Sequence, residues 1–197
     1  MAGKIFHGLC NFIHASATLL LKLLLNMREG KNGIHDEFLE IIRNYQGIVR
    51  KVCWLYFRNK DERDENFQEV LYQLWKSYPS LQDKSKLGSW IYKVSIYTSI
   101  VKIRKDVKVS YRDEIPDSEV DVGFEDEMYR DEDVKRLHAA IATLSDIEKA
   151  IIMLHLEEKD YAEIAEITGI SKTNAGVKIM RIKEKLKQLL NNEGYGK

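Results

Sequence analysis

The stretch YAEIAEITGISKTNAGVKIMRIKEKLKQLL, Tyr161–Leu190, holds two helical patterns separated by one glycine, with basic residues crowded into the second. Tyr161, Ile164, Ala165 and Ile167 mark one face of the first pattern. Gly169 suits the left-handed conformation that ends a helix. Ser171 is placed to cap the next helix by accepting a backbone N–H. Beyond it Ala175, Ile179, Ile182 and Leu186 recur at spacings of four, three and four, a single buried stripe. The remaining faces carry Lys172, Thr173, Asn174, Lys178, Arg181, Lys183 and Lys185. Small Ala165 permits the close crossing that a helix-turn-helix needs. The second helix of that motif enters the major groove with its N-terminal half foremost. The plainer alternative is a helical hairpin with a solvated basic face, and geometry alone does not separate the two.

Charge favours a nucleic-acid partner. From Ser171 to Lys197 there are seven Lys or Arg against Glu184 and Glu193, a net +5 in a chain whose formal total is zero. A local positive field binds phosphates because neutralising them releases counterions. The compensating negative charge is concentrated: Asp113–Asp133 holds eleven Asp or Glu against Arg130, a net −10 over twenty-one residues, together with Pro116 and Gly123. Such a block reads as a solvated, extended linker. A second reading is open, since a polyanion can lie in a basic channel and imitate nucleic acid.

Upstream of that linker lie three further helical segments. Ile34 to about Phe57 places Phe38, Ile41, Ile42, Tyr45, Val49, Val52 and Leu55 at helical spacing. The acidic run NKDERDE opens the second, whose apolar face to about Ser77 is Phe67, Val70, Leu71, Leu74 and Trp75. YPSLQDKSKLGS reads as a loop. The third helix runs from about Ser89 to Lys108 and ends basic. Downstream of the linker, Val134–Thr143 is helical. LSDIEKAIIMLHL adds a helix begun by a Ser145/Glu148 capping box, with a deeply buried run from Ala150 to Leu154. Together with the helix-turn-helix this makes a four-helix module.

The 197 residues suffice for one medium domain or two small ones. With only Pro79 and Pro116, and little alternation of strand type, the fold class is all-α: two small helical domains joined by the acidic linker. The expected boundaries are 1–30 for an N-terminal extension, 31–110, 111–133 for the linker, and 134–197. Two cysteines, Cys10 and Cys53, supply neither a disulfide framework nor a metal cluster, and a reducing cytoplasm fits. No catalytic pair, metal site or cofactor is expected, and His155 has no second ligand nearby. Ile5–Leu25 is apolar, but His7, His14 and Lys22 make it a poor spanning helix and it lacks a cleavage layout. We expect translation to begin at Met27.

Three segments in order, RDENFQEVLYQLWKSYPS, SKLGSWIYKVSIYTSIVKIRK and LEEKDYAEIAEITGISKTNAGVKIMRIKEKL, resemble the sigma factors of bacterial RNA polymerase, specifically the extracytoplasmic-function group of the sigma-70 family. The likeness covers about Asp36–Leu190 without the linker. It implies promoter-specific initiation, with core RNA polymerase (its beta and beta-prime subunits), promoter DNA and an anti-sigma factor as partners. Phe67, Gln68, Glu69 and Tyr72 match the surface that binds core polymerase. Trp90, Lys93, Tyr97, Lys102 and Arg104 match the part that reads and melts the −10 element. Aromatic faces there would hold splayed bases and basic groups the displaced strand. Tyr97 stands where the family usually has Asn, which breaks any direct carry-over of a base contact. Lys172, Thr173, Asn174, Lys178 and Arg181 match the −35-reading positions. Gly176 and Val177 replace a usual basic residue and Ser, and Gly176 is expected to let the backbone approach DNA. The competing reading is a helix-turn-helix regulator with an N-terminal sensor or dimerisation domain. No ligand pocket or phosphoacceptor signature supports a sensor.

Overall fold

The computed structural model describes residues 32–110 and 132–192. The N-terminal segment, the greater part of the acidic stretch and the last five residues lie outside them. Seven α-helices occupy the described residues: α1 (Asn32–Tyr56), α2 (Lys60–Ser77), α3 (Leu87–Ser110), α4 (Glu132–Ala142), α5 (Asp146–Leu156), α6 (Tyr161–Thr168) and α7 (Lys172–Asn192). No strand occurs among them. The chain divides into two compact units, one ending at Gln46 and the other running from Gly47. All contacts below lie in the second.

Helix starts follow from local chemistry. The Asn59 side chain accepts the Asp61 N–H at 2.7 Å and so caps α2. At α5 the Glu148 carboxylate reaches back to the Ser145 backbone N–H at 3.0 Å and its hydroxyl at 2.9 Å, the expected capping box. The stretch expected as a loop contains two 3₁₀ turns, Tyr78–Ser80 and Lys84–Lys86. The second is started by Asp83, which accepts the Ser85 N–H at 2.9 Å.

Helix α2 packs along α3, and α4, α5 and α6 all pack on α7. Val70, Leu74, Ile91 and Ile96 are fully buried in the first group, and Ile151, Leu154, Ile164, Ile167, Ile179 and Ile182 in the second. Full burial of each such side chain is worth about 1.5–3 kcal/mol. The α2–α3 core also buries a polar ladder. Asn66 Nδ2 donates to Ser99 Oγ at 2.8 Å and to Cys53 Sγ at 3.3 Å, and Ser99 Oγ donates to the Ser95 carbonyl at 2.8 Å. Cys53 is buried, and burial pushes its thiol up to about 11. Helix α3 also packs against α6. Accordingly Val52, Tyr92, Ile96 and Ile100 belong to one continuous apolar cluster with residues of α4–α7.

Candidate nucleic-acid interface

The helix-turn-helix is built from its caps. Asp160, with its side chain accepting the N–H groups of Ala162 at 2.7 Å and Glu163 at 2.8 Å, starts α6. Those same bonds hold its carboxyl below the usual range. Gly169 ends α6 at φ +72°, with its N–H on the Ala165 carbonyl. Ser171 Oγ accepts the Asn174 N–H at 3.2 Å and starts α7. Ala175, Ile179, Ile182 and Leu186 are buried as one stripe. Opposite it Lys172, Thr173, Asn174 and Arg181 are exposed along the N-terminal half of α7, and Lys178 is half-buried. Lys178 and Lys185 are close enough to add to the depression of the Glu148 carboxyl. Lys172 also lines a shallow open hollow with His155, Lys159 and Tyr161. A Cβ built on Gly176 would lie 3.5 Å from the Tyr161 ring, an ordinary contact, so space within the fold does not demand glycine there.

The second surface lies on α3 and the turns before it. Trp90 is half-buried, tilted against Tyr78 with ring centroids 6.4 Å apart. Lys93 and Arg104 are exposed. Lys102 is drawn in: Nζ lies 2.6 Å from Glu65 and 5.4 Å from the centroid of the Phe57 ring. Tyr97 is 40% exposed, and its hydroxyl donates to the Thr168 carbonyl at 3.2 Å.

The third surface is the exposed edge of α2. Phe67 is buried beneath the Arg50 guanidinium, 5.0 Å from the ring centroid, so it supports the surface from below. Gln68 is half-buried, Tyr72 is 45% exposed, and Glu69 accepts the Gln73 amide at 2.8 Å. Local pattern does not carry the long-range pairs. Lys51 meets Glu157 at 2.6 Å and Lys86 meets Glu166 at 2.8 Å.

A fold that is all-helical among the described residues, with a basic recognition helix and a separate aromatic and basic helix, defines a DNA-reading transcription protein. Residues 41–108 match sigma-70 region 2, and residues 135–186 match sigma-70 region 4. The sigma factor SigV of Bacillus subtilis (strain 168) is 28% identical over 153 residues, covering 77% of this chain and 90% of that protein. The extracytoplasmic-function sigma factor SigW of the same organism is 25% identical over 178 residues, covering 84% and 95%. The fold is shared with the sigma factor RpoE of Bartonella quintana, solved in complex with the anti-sigma factor NepR. That structure has a TM-score of 0.65 and 17% identity, covering 82% of this chain and 98% of that one. The chain belongs to the sigma-70 family of RNA polymerase sigma factors, in its extracytoplasmic-function group. Its function is promoter-specific transcription initiation with core RNA polymerase.

Among the described residues no group of His, Cys, Asp or Glu is arranged to hold a metal ion. No helix among them is long and apolar enough to cross a membrane.

Proposed function

We propose that the two family regions divide the work of initiation. Residues 31–110 bind core polymerase and open the −10 element, and residues 134–197 read the −35 element, with the acidic stretch between them as a spacer. The observation that carries this reading is the pair of chemically different surfaces in one chain. The first half of α7 presents Lys172, Thr173, Asn174 and Arg181 together, with half-buried Lys178 beside them. The α3 side offers Trp90 and Tyr97 with Lys93 and Arg104, aromatic faces with cations beside them. Opening a duplex requires capture of unstacked bases, and base–aromatic stacking is worth about 1–3 kcal/mol per base. Lys102 joins that surface once its pair with Glu65 is exchanged for phosphate. Gln68, Glu69 and Tyr72 form the contact with the polymerase, propped by Phe67.

The working compartment is the one that holds the chromosome and polymerase, the cytoplasm. The RpoE relative was solved with an anti-sigma factor bound. We assign a partner of that class to this chain as well. Initiation assays test the whole reading: core polymerase, the full chain and a library of promoter fragments should yield discrete, sequence-selective start sites. A regulator with a sensor domain would give none without an added sigma factor.

A further inference from the structure

The outward face of α7 carries an apolar strip that its cations do not account for. Successive helical residues turn by about 100°, so Thr173, Val177 and Met180 fall on the side away from the buried stripe of Ala175, Ile179, Ile182 and Leu186. Thr173 is exposed, Val177 is 36% exposed and Met180 is 67% exposed. The Tyr161 ring, itself 43% exposed, lies beside Gly176 at the edge of this strip. By the same helical turn, Lys172, Lys183 and Lys187 flank the strip on one side, and Lys178, Arg181 and Lys185 on the other. The strip ends at Glu184, whose carboxylate accepts the Gln188 amide at 3.2 Å.

Two rows of cations with an apolar strip between them match the section of a duplex groove. Phosphates run along both edges of the groove and base edges form its floor. The cations therefore meet the two backbones, and the strip meets the bases. Glu184 would be repelled by phosphate, which confines the groove contact to the first half of α7. The strip also limits what can be read. Val has no hydrogen-bonding group, and the Met thioether is only a weak acceptor. In the major groove the bases offer one apolar group, the C5 methyl of thymine. From Val177 to Met180 the helix axis rises about 4.5 Å. Base pairs are spaced at roughly 3.4 Å, so the two side chains reach neighbouring pairs.

We propose that Val177 and Met180 are specificity-determining residues of the −35 reader, selecting thymine at two adjacent base pairs by contact with the C5 methyl groups. The inference rests on the assignment of residues 134–197 to the −35 element made above, and deepens it. It gives Val177 a use: where the family usually has Ser, whose hydroxyl bonds a base edge, this chain substitutes a methyl contact.

The test uses holoenzyme assembled from core polymerase and the full chain. Promoter fragments randomised across the −35 element are selected for binding, and each thymine of the selected element is then replaced by uracil, which removes only the methyl. At two adjacent pairs, on either strand, the wild type should bind the uracil duplex about threefold to fivefold more weakly. Met180→Gln and Val177→Ser should each abolish the uracil effect at one of those pairs. Met180→Gln keeps helix propensity at an exposed position, and circular dichroism should show an unchanged fold. A uracil scan that is flat in the wild type overturns the inference. So does a uracil effect that both variants retain, which would place the methyl contacts on other residues. Weakened polymerase retention by the variants with an unchanged uracil scan would show that the strip faces protein, and overturns it too. Failure of the wild type to select any −35 sequence would instead refute the −35 assignment itself, and the inference with it.

Discussion

Gly169 carries two separate demands. Its φ of +72° is a conformation that costs an L side chain roughly 1–2 kcal/mol, and a Cβ there would crowd the Tyr97 hydroxyl at 3.0 Å. Gly169→Ala is therefore expected to lower stability by about 1–2 kcal/mol in urea titration. Combining it with Tyr97→Phe should recover part of that loss, because the crowded oxygen is gone. Equal losses with and without the second change would show that only the backbone term matters. The left-handed stop was legible in the sequence because Gly followed directly on a helical face. The Tyr97 contact was not, since the partners are 71 residues apart and no local periodicity records them. Asn66 was missed for a related reason. It sits beside the acidic run that opens α2 and reads as surface, yet it is fully buried with its amide on Ser99 and Cys53.

At the scale of elements, the recognition helix separates two kinds of cation. Arg181 is exposed, while Lys178 is half-buried near the Glu148 carboxylate. Arg181→Ala should weaken duplex binding more than Lys178→Ala and reduce the slope of log affinity against log salt by about 0.9 if it neutralises one phosphate. Fluorescence anisotropy with a −35 duplex over a salt series checks this. Indistinguishable slopes for the two variants would show that the burial difference has no consequence at the DNA. Both should retain core polymerase in a pull-down. The apolar stripe of α7 and the face of α2 were readable from spacing alone, because a helix buried on one side repeats every three or four residues. The 3₁₀ turns before α3 were not; the second is started by Asp83 through a side-chain bond of the kind that loops share. Gly176 was legible as a departure from the family pattern, but its neighbour was not: only the fold brings the Tyr161 ring beside it.

At the scale of the molecule, a sigma factor differs from other DNA readers in opening what it reads. The duplex must be unstacked and the bases held, at a cost of a few kcal/mol per base. Trp90 lies in the first turn of α3, half-buried against Tyr78 of the 3₁₀ turn before it. Permanganate footprinting of −10 thymines in polymerase complexes is the most direct measurement. The wild-type chain should give strong reactivity on duplex promoter. Trp90→Ala, once circular dichroism shows an intact fold, should give severalfold less opening while closed-complex binding changes little. A promoter mismatched across the −10 element should restore the variant to wild-type reactivity, because its opening cost is already met. Equal opening of duplex DNA by variant and wild type would contradict the assignment of melting to this surface.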